Sequence, residues 1–151
     1  MPESLSPTHG QRTLMGFDHG TDKIGVAVGQ EITATGRPLT ILANRNHQPD
    51  WEAIARLIGE WRPQLLVVGL PYHLDGSESE QTRRAARFGR QLQGRTGLPV
   101  DTMDERLSSE AARAAFADLR RTGARKRRAR GPLDDMAAAL ILEHWMLESR
   151  K

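Results

Sequence analysis

A short apolar run, Leu14-Met15-Gly16-Phe17, is followed by Ile24, Val26 and Val28 alternating with Lys23, Gly25 and Ala27. These patterns predict strands over 13–17 and 23–28, joined through the hairpin chemistry of His19-Gly20-Thr21-Asp22. A third strand is expected over 31–42, interrupted around Gly36-Arg37-Pro38. Three strands with tight links make an antiparallel meander. From Asp50 the period changes. Behind this N-cap, Trp51, Ile54, Ala55, Leu57, Ile58 and Trp61 recur at helical spacing until Pro63.

Leu65-Leu66-Val67-Val68 is apolar without a break, as in a strand covered on both faces, and Gly69-Leu70-Pro71 ends it. Asp75-Gly76-Ser77 reads as a loop, and 79–93 as a helix with Ala85, Ala86, Phe88 and Leu92 inward, closed by Gly94 and Gly97. A strand over 99–104, a helix from Ser108 or Ser109 to Leu119, and a last helix over about 133–148 complete the order. The fold class is therefore α/β, a mixed five-stranded sheet flanked by helices. The first strand is expected at its centre. The carboxyl ends of the first, fourth and fifth strands then share an edge, where open α/β sheets collect ligands.

Composition narrows the function. At 151 residues the chain suits one domain. It lacks an apolar run of about 18 residues, so no membrane partner is expected. Residues 1–12, rich in Ser, Pro and Gly, read as a flexible leader without a signal peptide's apolar centre. Zero Cys excludes disulfides, thiolate metal sites and a Cys nucleophile, and the simplest compartment is the cytoplasm. The net charge is +3, but seven of the 22 cations lie in 120–130, leaving 15 against 19 acids elsewhere. That segment (Arg120, Arg121, Arg125, Lys126, Arg127, Arg128 and Arg130) is either a solvated run or a polyanion-binding surface. A weaker cluster is Arg83, Arg84, Arg87, Arg90 and Arg95.

Three acids have distinctive addresses. Asp18 ends the first apolar run and Glu105 follows the fifth strand. Asp134 opens the last helix on a face with Ala137, Ala138, Ile141 and Trp145, so it is expected to point inward. A buried, unpaired carboxylate is costly and calls for a cation, a donor or a proton. Each acid also has a structural alternative: Asp18 in the turn, Glu105 paired with Arg106, and Asp134 or Asp135 against the helix dipole. Gathered together, they would hold Mg²⁺ or Mn²⁺ for phosphodiester hydrolysis, with phosphate contacts from Lys23 and Arg106. The five His residues lack metal-ligand spacing, and no Walker loop, G-x-S-x-G or H-E-x-x-H is present. The three Trp residues sit at apolar helical positions and are expected in the core.

Phe17-Asp18-His19-Gly20-Thr21-Asp22-Lys23-Ile24-Gly25-Val26-Ala27 resembles the opening of the YqgF-type, or RuvX, proteins. So do Val68-Gly69-Leu70-Pro71 with Asp75-Gly76, Asp104-Glu105-Arg106-Leu107-Ser108, and Asp134 with its Ala-rich helix. The resemblance spans about 13–147 and implies an RNase H-like nuclease domain over 13–151. It also implies kinship with Holliday-junction resolvases and processing of the 5′ end of pre-16S ribosomal RNA. In the family pattern Asp18, Glu105 and Asp134 match the acidic catalytic positions. Resolvases typically add an Asp three residues after the helical one, where this chain has Ala137.

Expected partners are therefore precursor ribosomal RNA, within the ribosomal subunit or free, and branched DNA. The alternatives to an RNA endonuclease are a DNA junction resolvase and a non-catalytic RNA-binding assembly factor. Asp18-His19-Gly20-Thr21 also resembles the phosphate loop of actin-like ATPases, but those need two such domains, too much for 151 residues.

Overall fold

The computed structural model describes residues 10–105 and 134–149. Five strands form one sheet: β1 (Thr13–His19), β2 (Lys23–Gln30), β3 (Thr35–Ala43), β4 (Leu65–Leu70) and β5 (Val100–Asp104). Their order is β3-β2-β1-β4-β5, which puts β1 at the centre. The β1–β2 and β2–β3 pairs are antiparallel, while β1–β4 and β4–β5 are parallel. The third strand starts later than its pattern predicts, at Thr35, and runs through Pro38 with a register shift opposite Val26 and Ala27. Proline is tolerated there because β3 is an edge strand. The expected helix after Ser108 or Ser109 lies outside the described residues.

The sheet is covered on both faces. Met15, Phe17, Ile24, Val26, Leu66 and Val68 pack on one face with Ile54, Ala85, Phe88 and Leu92. The last three belong to α2 (Glu80–Thr96), and Ile54 to α1 (Trp51–Trp61). Asp50 caps α1 by accepting from the Ala53 N–H, and Ser79 with Thr82 forms a capping box on α2. The other face carries Leu14, Ala27, Leu65, Val67 and Met103 beneath α3 (Asp134–Ser149). All three Trp residues pack against these two cores.

Helix α3 sits close to the sheet because glycines meet it there. A Cβ on Gly16 would lie 2.6 Å from Leu142 Cγ, and one on Gly36 2.5 Å from the Ala139 carbonyl oxygen. Gly36 N–H also donates to Glu143 Oε2 at 2.9 Å. Backbone cannot yield as a flexible side chain can. Gly36→Ala is therefore expected to lift α3 and to cost about 1–3 kcal/mol, the range for overpacking, measured by urea unfolding. An unchanged midpoint would mean that α3 can shift without loss.

Residues 10–12, part of the leader by composition, are held in place. Glu31, only 5% exposed, accepts from the backbone N–H groups of Gly10 and Arg12 and from two guanidinium nitrogens of Arg12. The bonds from Arg12 bring the Glu31 carboxyl down to about 2.

Candidate metal and catalytic site

Alternation along β1 decides which way each residue faces. Met15 and Phe17 belong to the α1/α2 face, so Leu14, Gly16 and Asp18 belong to the α3 face. His19 turns the opposite way, its ring 5.0 Å from that of Phe88 and its carbonyl accepting from Gln81 Nε2 at 2.7 Å. Burial and the nearby Arg84 hold its imidazole below the usual value. It is a packed residue on the far side of the sheet from Asp18.

Lys23 opens β2 next to the hairpin, where Gly20 N–H donates to the Lys23 carbonyl at 2.9 Å. Asn44 Nδ2 bonds the carbonyls of Gly20 and Thr21 and holds this turn. Ile24 packs on the α1/α2 face, so alternation assigns Lys23 to the face of Asp18.

Glu105 follows β5 directly. Met103 packs under α3, so Asp104 has the opposite parity and Glu105 returns to the α3 side. Its Oε2 lies 2.9 Å from where a Cβ on Gly69 would stand, with Ile141 on the same spot. The missing side chain at Gly69 is thus the space the Glu105 carboxylate occupies. Along the sequence Gly69 reads as the end of a strand and as part of the Val68-Gly69-Leu70-Pro71 motif, not as a space for a carboxylate. Its signal was the Gly within an otherwise unbroken apolar run.

The Glu105 carboxyl is pushed up to about 7, first by burial, then by the negative charges of Asp18 and Asp104. This coupling brings Asp18 and Glu105 into one electrostatic site at the carboxyl edge of β1, β4 and β5.

Asp134 is the first residue of α3. Met146 lies near Gly29, Leu142 bridges Gly29 and Gly16, and the Ala138 carbonyl lies over Gly16. Since Gly29 pairs with Leu14, α3 runs antiparallel to β1. One turn before Ala138 is Asp134, and two residues beyond Gly16 is Asp18, so the helix begins at the carboxylate edge. The helix is rotated slightly from its expected face. Ala138 and Ile141 of that face are buried, together with Ala139, Leu142, His144 and Met146, while Ala137 and Trp145 are half-buried. The line through Ala138, Ala139, Leu142 and Met146 faces the sheet glycines. Asp135, at steps of three, four, seven and eleven from that line, is half-buried and accepts from the Met136 N–H.

Arg106, Arg125, Lys126, Arg127, Arg128 and Arg130 lie outside the described residues. Among the described residues no three His, Asp or Glu side chains converge as a metal cluster. The donor chemistry nevertheless fits a hard divalent cation. Two carboxylates share a crowded, poorly solvated edge, and a bound cation would reverse the penalty that raises Glu105.

The fold is an RNase H-like α/β fold. Thermus thermophilus RuvC in complex with Holliday junction substrate superposes with a TM-score of 0.54 at 16% identity, covering 91% of this chain and 95% of that one. The fowlpox virus Holliday junction resolvase gives 0.50, also at 16%, over 92% and 99%. At such identities the likeness is one of fold. The RuvX family, described as Holliday junction resolvase, matches residues 12–148, and the chain belongs to that family.

A relative from Azotobacter vinelandii is 51% identical over 140 residues, 92% of this chain and 96% of its own. One from Pseudomonas aeruginosa is 51% identical over 138 residues, 91% and 93% of the two chains. One from Aeromonas salmonicida is 48% identical over 137 residues, 91% and 96%. All three carry the description "Putative pre-16S rRNA nuclease".

Proposed function

We propose that this chain is a divalent-metal-dependent endonuclease that hydrolyses phosphodiesters in structured RNA, with the 5′ region of pre-16S ribosomal RNA as its substrate. The observation that carries this reading is the Glu105 carboxylate, seated over Gly69 and coupled to Asp18 at the edge where α3 begins with Asp134. Family membership and the descriptions of the relatives support the same chemistry.

In this reading Asp18, Glu105 and Asp134 hold Mg²⁺ or Mn²⁺, which when bound neutralises phosphate charge and lowers the pKa of a coordinated water. The chain's own work is positional. Asp18 and Glu105 present oxygen donors from rigid strand ends, Gly69 leaves room for the second of them, and Lys23 contacts a phosphate oxygen beside the first. Hydrolysis joins the water oxygen to phosphorus and breaks the bond to the leaving sugar oxygen, which takes up a proton. Arg106 and the cations of 120–130 contact the RNA backbone. The protein acts in the cytoplasm, on precursor RNA free or in the ribosomal subunit. Among the described residues no helix is long and apolar enough to cross a membrane.

The family's description favours a second reading, a resolvase of branched DNA. Such an enzyme cuts two symmetric strands and works as a dimer. One assay separates the two: cleavage of a 5′-extended 16S precursor fragment and of a four-way DNA junction, each titrated with Mg²⁺ and Mn²⁺ and quenched with EDTA. RNA cleavage that needs metal is the expected result. Paired incisions in the junction alone would transfer the assignment to the resolvase. RNA binding without cleavage in either metal would leave a binding protein with a remnant site.

A further inference from the structure

Helix α2 is the most basic element among the described residues. Its 17 residues contain five arginines and one acid, Glu80. Arg84 pairs with Glu80 at 3.0 Å, and Arg95 lies 4.4 Å over the ring of Trp51. Both therefore have structural partners. Arg83, Arg87 and Arg90 differ. All three are exposed, and no ion pair holds any of them among the described residues.

Their spacing is that of a single helical line, steps of four and three, covering about 10 Å along the axis. The opposite face of the helix carries Thr82, Ala85, Phe88, Gly89 and Leu92 into the core, so the line cannot turn away from solvent. Helix α1, packed on the same sheet face, shows no such bias, with Glu52 and Glu60 on either side of Arg56.

The line also has a defined start. Ser79 Oγ and Thr82 Oγ1 both donate to the Pro71 carbonyl, which fixes the first turn of α2 to the end of β4. Gln81 bonds the carbonyl of His19, the residue after Asp18. The arginines thus begin at the carboxylate edge and lead away from it along α2. Three guanidinium groups without an ion pair among the described residues repel one another on a rigid helix and add nothing to the core. A row of phosphates supplies the charge they lack.

We propose that Arg83, Arg87 and Arg90 form a phosphate-binding track that holds the backbone of the nucleic acid entering the carboxylate edge. The track rests on the nuclease reading but does not involve the residues that would carry out hydrolysis. Its partner is the sugar-phosphate backbone of a nucleic acid strand, without base readout.

The test uses the full chain in EDTA, so that only binding is read. Fluorescence anisotropy with a labelled RNA stem-loop and a labelled DNA duplex, from 50 to 300 mM KCl, compares wild type with Arg83→Gln/Arg87→Gln/Arg90→Gln. The expected result is a log–log salt slope shallower by about 2 to 3 and affinity at 50 mM lower by about tenfold or more, with unchanged thermal unfolding. Arg56→Gln, on α1, is expected to change neither. Equal slopes for the triple variant and wild type would overturn the track. A loss that Arg56→Gln reproduces, arginine for arginine, would also overturn it, by reducing it to net charge. Wild type that binds neither probe at 50 mM would instead remove the nucleic-acid reading itself.

Discussion

Asp18→Asn is expected to lose RNA hydrolysis by roughly a thousandfold or more, the scale on which removal of a single electrostatic stabiliser acts, while binding RNA as wild type does. Asp18 stands at the end of the central strand, on the face that α3 covers, and its charge reaches Glu105. Asn keeps its shape and removes the charge that would hold a divalent cation. The cations proposed to bind RNA belong to other elements, so affinity and its salt dependence in EDTA should not fall. Single-turnover cleavage at saturating protein reads the chemical step directly, and anisotropy reads binding. Full cleavage by Asp18→Asn would sink the assignment. Loss of binding and cleavage together, with a lower unfolding midpoint, would make Asp18 a residue of the turn.

Glu105→Gln is expected to make the metal-free protein more stable at pH 8 while removing its activity. The folded chain holds the Glu105 carboxyl at about 7, against an ordinary 4.5. A carboxyl raised on folding binds its proton more tightly in the native state, so folding is favoured below the unfolded value. That advantage is lost as pH rises towards the folded value. Above 7 the full penalty of ionising a buried group beside Asp18 and Asp104 is present, on the order of 3 kcal/mol for a shift of this size.

Glutamine is never ionised, so urea unfolding in EDTA should show a gap in its favour at pH 8 that closes by about pH 4.5. Added Mn²⁺ should narrow the gap from the other side, because an ion that binds the native site stabilises wild type. A wild type as stable as Glu105→Gln in EDTA at pH 8 would mean that the carboxylate already has its charge compensated within the protein. The site would then have no call for a cation.

The parts of the fold visible in the sequence are those governed by local rules. Ile24, Val26 and Val28 alternate because one face of β2 is covered differently from the other, and Leu65 to Val68 are all apolar because β4 is buried on both. Asp50 and Ser79 announce their helices because a cap needs only a neighbour's N–H. Pro38 looked like an interruption of the third strand, yet β3 continues through it. Whether proline breaks a strand depends on whether that strand lies at an edge, which is a property of the sheet. The rotation of α3 had the same kind of cause. Helical spacing proposed a face with Ala137, Ala138, Ile141 and Trp145. Ala138 and Ile141 are buried as proposed, while packing on Gly16, Gly29 and Gly36 turned the centre of the face toward Ala139, Leu142 and Met146 and left Ala137 and Trp145 half-buried.

By itself, the sequence determined the type and order of the described elements, the family, and the three acids worth testing, because periodicity, caps and motifs are written in neighbouring residues. Only the tertiary structure decided that His19 packs against Phe88 away from Asp18, that β3 lies at the sheet's edge and so continues through Pro38, and that Glu105 rests over Gly69 close enough to feel Asp18. Those relations join residues dozens of positions apart. They depend on strand order, on side-chain parity across the sheet and on the space left where a glycine has no Cβ. A carboxyl's affinity for its proton likewise depends on the charges and water around it, which folding alone arranges.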